Sequence, residues 1–285
     1  MEYGPQYGYG YAYPHPPPPD PPELPDGASA FPRWPAWYGP AALVVGLIVA
    51  VVAQGVLLAI SGGSARHPPP AVVQIGTALQ DAVFVGTAIF FAGRTLAPRT
   101  WHFGLRRVRL WRTVGLAALA MFSFLIFEIV YSNVVRVHEK QTIVQDLGAK
   151  HSTVALVGGA VLVIVIAPFA EEFFFRGFFY RALRTRMGVA LAAIIDGLVF
   201  AAIHLGGSSV AVLPVLAVLG VLFCVVYERT GTLFATIGMH SLNNFLAYGS
   251  ATGRWAVAGA IAAAMIGACV AVPGMLQARA APALR

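Results

Sequence analysis

Charge is scarce in this chain: only 11% of its 285 residues are Asp, Glu, Lys or Arg, where a soluble globular protein carries about a quarter. With 58% apolar residues and a mean hydropathy of +0.72, that scarcity excludes a fold that meets water on every side. The bilayer is the expected solvent. Cysteine is scarcer still. Cys224 and Cys269 stand alone in apolar stretches, which excludes a disulfide framework and a CxxC pair, and both read as buried hydrophobes. Nineteen basic residues against twelve acidic ones give a net charge of +7. The basic residues fall mainly between apolar runs, where they set topology, so no nucleic-acid partner is expected.

Three signatures of intramembrane proteolysis are also missing. There is no HExxH, so Ile195-Asp196-Gly197 does not make a zinc site of the site-2 type. No GxGD is present for an aspartyl protease, and Gly206-Gly207-Ser208-Ser209 lacks the closing glycine of a rhomboid GxSG.

Residues 1–36 hold eleven prolines and five tyrosines. Such a segment buries too little apolar surface to fold and favours extended polyproline II, so a disordered tail is expected. It carries no basic stretch followed by an apolar one and does not read as a cleaved signal peptide. Trp34 and Trp37 suit a membrane interface. Beyond them lie apolar windows near 41–60, 71–92, 113–134, 153–180, 189–207, 209–227, 232–249 and 255–273. A span needs about 20 residues, and runs this long are helices rather than barrel strands. The expected fold is all-α, a polytopic membrane helix bundle of about eight transmembrane helices. Its expected divisions are the tail, an N-terminal pair of helices with a basic connection over 37–112, a core over 113–250, and a last helix with a short tail over 251–285.

Arg94, Arg99, Arg106, Arg107, Arg109 and Arg112 crowd the second connection, and Arg181, Arg184 and Arg186 the fourth. Setting these in the cytoplasm leaves thirteen of the eighteen basic residues other than Arg176 inside and five outside, with both termini cytoplasmic. The stretch Trp101 to Trp111 reads equally as an interfacial segment or a solvated loop.

Five acidic residues fall inside apolar windows: Asp81, Glu128, Glu171, Glu172 and Asp196. An intramembrane carboxylate is costly unless paired, hydrated or protonated, and is a functional candidate for that reason. The densest cluster is Ala167-Pro168-Phe169-Ala170-Glu171-Glu172-Phe173-Phe174-Phe175-Arg176-Gly177. Pro168 lacks an N–H and is expected to break or kink the fourth helix. Glu172 and Arg176, four apart, share a face and can pair, while Glu171 is turned by about 100° and left free. Asp196, Phe200 and His204 repeat at i, i+4 toward the end of the fifth helix, and His240 and Asn244 do so in the seventh.

Such a set can perform hydrolysis. A carboxylate denied bulk water is a stronger general base, and a histidine beside it can orient the same water. A second histidine and an amide can donate to the oxyanion that forms as water adds to a peptide carbonyl. Glu171, His204 and His240 are equally a set that can hold a divalent metal such as zinc.

In these residues the chain resembles the CPBP family of intramembrane proteases, the group related to type II CAAX prenyl endopeptidases and to bacteriocin-processing and immunity proteins. The family pattern is EExxxR, then FxxxH, then HxxxN or HxxxD. Here it is carried by Glu171-Glu172 with Arg176, Phe200 with His204, and His240 with Asn244. Phe103-Gly104-Leu105-Arg106 is similar to the family's upstream element, and the resemblance covers roughly 100–250. It implies that Glu171 activates water with His204, that His240 and Asn244 stabilise the oxyanion, and that Glu172 with Arg176 supports the fold. Both a metalloprotease and a metal-free glutamate mechanism are argued for the family; the metal-free form is preferred here. The implied substrate is a membrane-anchored or membrane-inserting peptide. Asp196 stands where the family more usually has a small or neutral residue; it either tunes His204 or pairs elsewhere. His204 is expected nearer the outer face than Glu171 and His240 unless the fifth helix starts deep or tilts. The competing readings are a non-catalytic membrane scaffold or immunity-type binder, and a proton-coupled transporter, for which no inverted repeat is evident.

Overall fold

The structure is a computed structural model that describes residues 32–64, 68–106, 109–136, 147–148, 152–205 and 207–280. The expected disordered tail therefore lies, through residue 31, outside the described residues, as does Gly206. Eight long helices run through the rest: α1 (Tyr38–Ser61), α2 (Pro70–Gly93), α3 (Leu110–Val135), α4 (Thr153–Arg184), α5 (Val189–Ala202), α6 (Leu213–Thr230), α7 (Leu233–Thr252) and α8 (Trp255–Ala280). An isolated β-bridge joins Leu205 and Ser208.

The all-α membrane bundle is shown, with one refinement of the eight expected spans. Among the described residues six helices are long and apolar enough to cross a bilayer: α1, α2, α3, α4, α6 and α8. α5 has 14 residues, a rise of about 21 Å. α7 has 20 residues but interrupts its apolar run with His240, Ser241, Asn243 and Asn244. α1 and α3 turn Val51, Ile60, Phe122 and Val134 outward, the reverse of a water-soluble fold.

Inside, α4 is the axis. Phe174, Phe175, Phe178 and Phe179 are fully buried or nearly so and pack against Phe84 of α2 and Phe200 of α5. Trp34 sits in this core, 5.0 Å from the Phe178 ring and 5.2 Å from Phe103. Its expected place at the interface is thus corrected: the indole is buried against Phe103 and Phe178, and of the two tryptophans Trp37 is the exposed one. Pro32 is also buried, so packing begins before the expected end of the tail.

The Phe103-Gly104-Leu105-Arg106 element is neither an interfacial helix nor a solvated loop. Phe103 stacks on Phe173 at 4.3 Å, and its carbonyl accepts from Tyr227 Oη at 3.1 Å. Gly104 has φ +92°, and a Cβ there would lie 2.6 Å from the Tyr227 ring, so only glycine fits. Arg106 Nε donates to the Gly231 carbonyl at 2.7 Å, and Thr232 Oγ1 donates to the Arg106 carbonyl at 3.0 Å. The element clips the α6–α7 turn under α4, which fixes the height at which α7 starts.

Candidate active site

α4 continues through Pro168 instead of breaking there. A π turn, Leu162–Ile166, precedes the proline, and a second, Phe175–Phe179, follows the glutamate pair. The wider turn takes the proline ring without the carbonyl clash of an α-helix, but it leaves carbonyls short of donors. α7 supplies them. Ser241 Oγ donates to the Ile164 carbonyl and Asn244 Nδ2 to the Val163 carbonyl, each at 2.8 Å. The proline and the polar face of α7 are thus one device that holds α7 opposite Glu171. Replacing Ser241 by Ala leaves a buried carbonyl without its donor and is expected to destabilise the protein by about 1–3 kcal/mol, measurable by thermal unfolding in detergent.

The two glutamates have different surroundings. Glu172 is fully buried; its Oε1 accepts from Arg176 Nη1 at 2.8 Å and lies 3.1 Å from His240 Nδ1. Glu171 is 13% exposed, its Oε2 has no hydrogen-bond partner in the protein, and it borders a cavity. Arg176, also fully buried, reaches Asp196 at 3.3 Å and the Gly220 carbonyl at 3.0 Å. Its guanidinium lies over the rings of Phe200 and Phe223, 4.6 and 4.9 Å from their centroids, a stacking that a planar cation favours. Asp196 therefore pairs with Arg176, and it also accepts from Cys224 Sγ at 3.1 Å. Cys224 is buried, as expected, whereas Cys269 is partly exposed.

His204 follows α5 in a turn. Its Nδ1 lies 2.7 Å from the Phe200 carbonyl; a carbonyl only accepts, so Nδ1 carries the proton and Nε2 of the neutral ring is left as an acceptor. His240 Nδ1 faces the Glu172 carboxylate and is a donor for the same reason, which points Nε2 toward Glu171 Oε2 at 3.9 Å. The expected offset in depth is resolved by the shortness of α5. Phe200 links the two imidazoles, with its centroid 4.9 Å from His204 and 5.7 Å from His240.

Glu171, His204, His240 and Asn244 line one cavity of about 640 Å³, within the range of ligand sites. Gln54, Thr77, Gln80 and Asn243 line it too. These were not picked out from the sequence, although an amide in an otherwise apolar helix is a legible signal. Asp81 is buried with Oδ2 unpartnered, and it interacts electrostatically with Glu171. Glu128 does not line the cavity. Among the described residues no three His, Cys, Asp or Glu side chains gather as a metal-holding group. With Nδ1 of both imidazoles on protein acceptors, the Nε2 atoms of His204 and His240 are left to meet whatever the cavity holds.

Comparison with known families matches residues 153–246 to the model described as type II CAAX prenyl endopeptidase Rce1-like. The matched segment runs from the start of α4 into α7 and contains all three motif blocks. Comparisons with curated proteins and with solved structures gave no match.

Proposed function

We propose that this chain, an integral membrane protein whose residues 153–246 form an Rce1-like domain, is an intramembrane endopeptidase acting on a membrane-anchored or membrane-inserting peptide. The observation that carries this reading is the contrast between the adjacent glutamates: Glu172 is fully buried and engaged by Arg176 and His240, while Glu171 is 13% exposed and lines the cavity. A base needs that access to water; a carboxylate sealed in the core does not have it.

In the proposed reaction Glu171 takes a proton from a water that His204 Nε2 also holds, and the water oxygen bonds to the scissile carbonyl carbon. His240, as an imidazolium, donates from Nε2 to the developing oxyanion while Nδ1 stays on Glu172. Asn244 assists with the amide hydrogen not engaged by Val163. Glu171 then passes its proton to the leaving amine as the C–N bond breaks, which returns the site to its starting charge. Asp196 and Arg176 take no part in the proton transfers and hold Phe200 and Glu172 in place.

We propose the metal-free form of this mechanism, in which the Nε2 atoms of His204 and His240 meet the water and the oxyanion. Dialysis against a zinc chelator is expected to leave the cleavage rate unchanged, and loss of activity that added zinc restores would contradict it. The basic connections support a cytoplasmic location for both termini. The test of the reading is cleavage of a membrane peptide by the reconstituted protein, comparing wild type with Glu171→Ala and His204→Ala. Full activity in both variants would overturn the roles given to Glu171 and His204.

A further inference from the structure

The cavity that holds Glu171 has a direction. The long helices alternate, and contacts between their ends fix which ends share a face of the bundle. One face carries the exposed Arg94, Arg99 and Arg186. There Arg184, at the end of α4, pairs with Glu228 near the end of α6 at 2.8 Å, and Leu233 N, at the start of α7, donates to the Gly104 carbonyl at 2.9 Å. On the opposite face Gln74, near the start of α2, donates to the Ala155 carbonyl at the start of α4 at 3.0 Å. Tyr131, near the end of α3, donates there to the Ala211 carbonyl in the α5–α6 turn at 3.0 Å.

The walls of the cavity run toward that second face. α1 contributes from its last third, α2 from its first half, α5 from its end and α6 from its start. α4 contributes Val163, Ala167 and Glu171 and nothing beyond them, and Gly207 and Ser208 are added by the α5–α6 turn. Toward the basic face the way is filled. Arg184 lies about 20 Å along α4 from Glu171, and between them Phe173, Phe174, Phe178 and Tyr180 are buried in the core with Trp34 and Phe103. None of these rings lines the cavity. The polar lining has the same bias. Gln54 is exposed within apolar α1 and donates to Gln80 of α2 at 3.3 Å, and Thr77, Ser208 and Asn243 also line the space. Such groups are costly against hydrocarbon, and water entering from this face removes that cost.

Basic connections mark the cytoplasmic side of a membrane protein. We propose that the cavity opens on the other side, the extracytoplasmic face, and takes a peptide bond presented there: in a translocated segment or a peptide inserting from outside, not in a cytoplasmic tail. The choice of substrate rests on the peptidase reading, whereas the direction of opening does not.

The opening is tested with a membrane-impermeant maleimide on right-side-out and inside-out vesicles that carry the full chain. Ser208→Cys and Thr77→Cys report the cavity, and Arg186→Cys reports the basic face. Wild type, with Cys224 buried and Cys269 partly buried, sets the background. The expected result is labelling of the two cavity cysteines in right-side-out vesicles and of Arg186→Cys in inside-out vesicles alone. Labelling of the cavity cysteines from the same side as Arg186→Cys would overturn the proposal, and so would their labelling from neither side. Either cavity variant suffices if the other fails to fold. For the substrate, new protein termini that appear with wild type and not with Glu171→Gln are placed on the topology of the cleaved proteins. Cuts in extracytoplasmic or outer-half segments are expected, and cuts in cytoplasmic segments would overturn the choice. If no new termini appear, the peptidase reading fails while the labelling still decides the opening.

Discussion

Glu171→Gln protein in liposomes is expected to cleave its membrane peptide on the order of a thousandfold more slowly than wild type, the scale of losing a positioned general base, with an unchanged melting temperature. The amide keeps the shape of the side chain and removes only the proton acceptor. Glu171 Oε2 has no hydrogen-bond partner in the protein, so the substitution breaks no hydrogen bond at that atom. The contrast with Glu172→Gln makes the result specific. That neighbour accepts from Arg176 and His240, so its substitution is expected to lower both stability and activity. A Glu171→Gln enzyme within about tenfold of wild type would assign water activation to another residue.

Arg176→Ala is expected to cost about 3–5 kcal/mol, since truncating one partner of a buried ion network leaves the others charged and unpaired. Glu172 and Asp196 are both fully buried around it. The guanidinium also packs on Phe200 and Phe223, the two rings that flank His240, so the variant loses the placement of the imidazole together with stability. Arg176→Lys is expected to fall between: an ammonium cannot present a planar fork to Glu172, Asp196 and the Gly220 carbonyl at once. Thermal unfolding in detergent, scored against wild type and against Ser241→Ala, ranks the three. An Arg176→Ala protein as stable as wild type would show that the network does not hold the core.

Much of this arrangement was legible in the sequence because lipid makes polar residues conspicuous. The eight helices fall on the eight apolar windows, and the pairing of Glu172 with Arg176 follows from i, i+4 spacing. What was not legible is tertiary. Pro168 predicts a broken helix, but a π turn and two donors from α7, about 75 residues away, absorb it, and no local rule encodes that compensation. Trp34 reads as an interface anchor because amphipathic indoles gather there; its burial depends on a gap formed by Phe103 and Phe178. The partner of Asp196 was open because it depends on the close approach of α5 and α6 where Gly197 faces Gly220, with the Gly197 Cα 2.8 Å from where a Cβ on Gly220 would lie. The cavity's amides on α1 and α2, Gln54 and Gln80, precede the matched family segment.

The reading turns on whether Glu171 makes this chain a peptidase, and the most direct measurement is of new peptide ends. Membranes containing the wild-type protein or Glu171→Gln are compared by quantitative mass spectrometry of protein termini, with the Glu171→Gln protein also used to trap bound substrate. A set of new C-termini from membrane-associated proteins, present with wild type, absent with Glu171→Gln, and belonging to proteins that co-purify with the trap, is the predicted result. Identical sets of termini in the two membranes would contradict it.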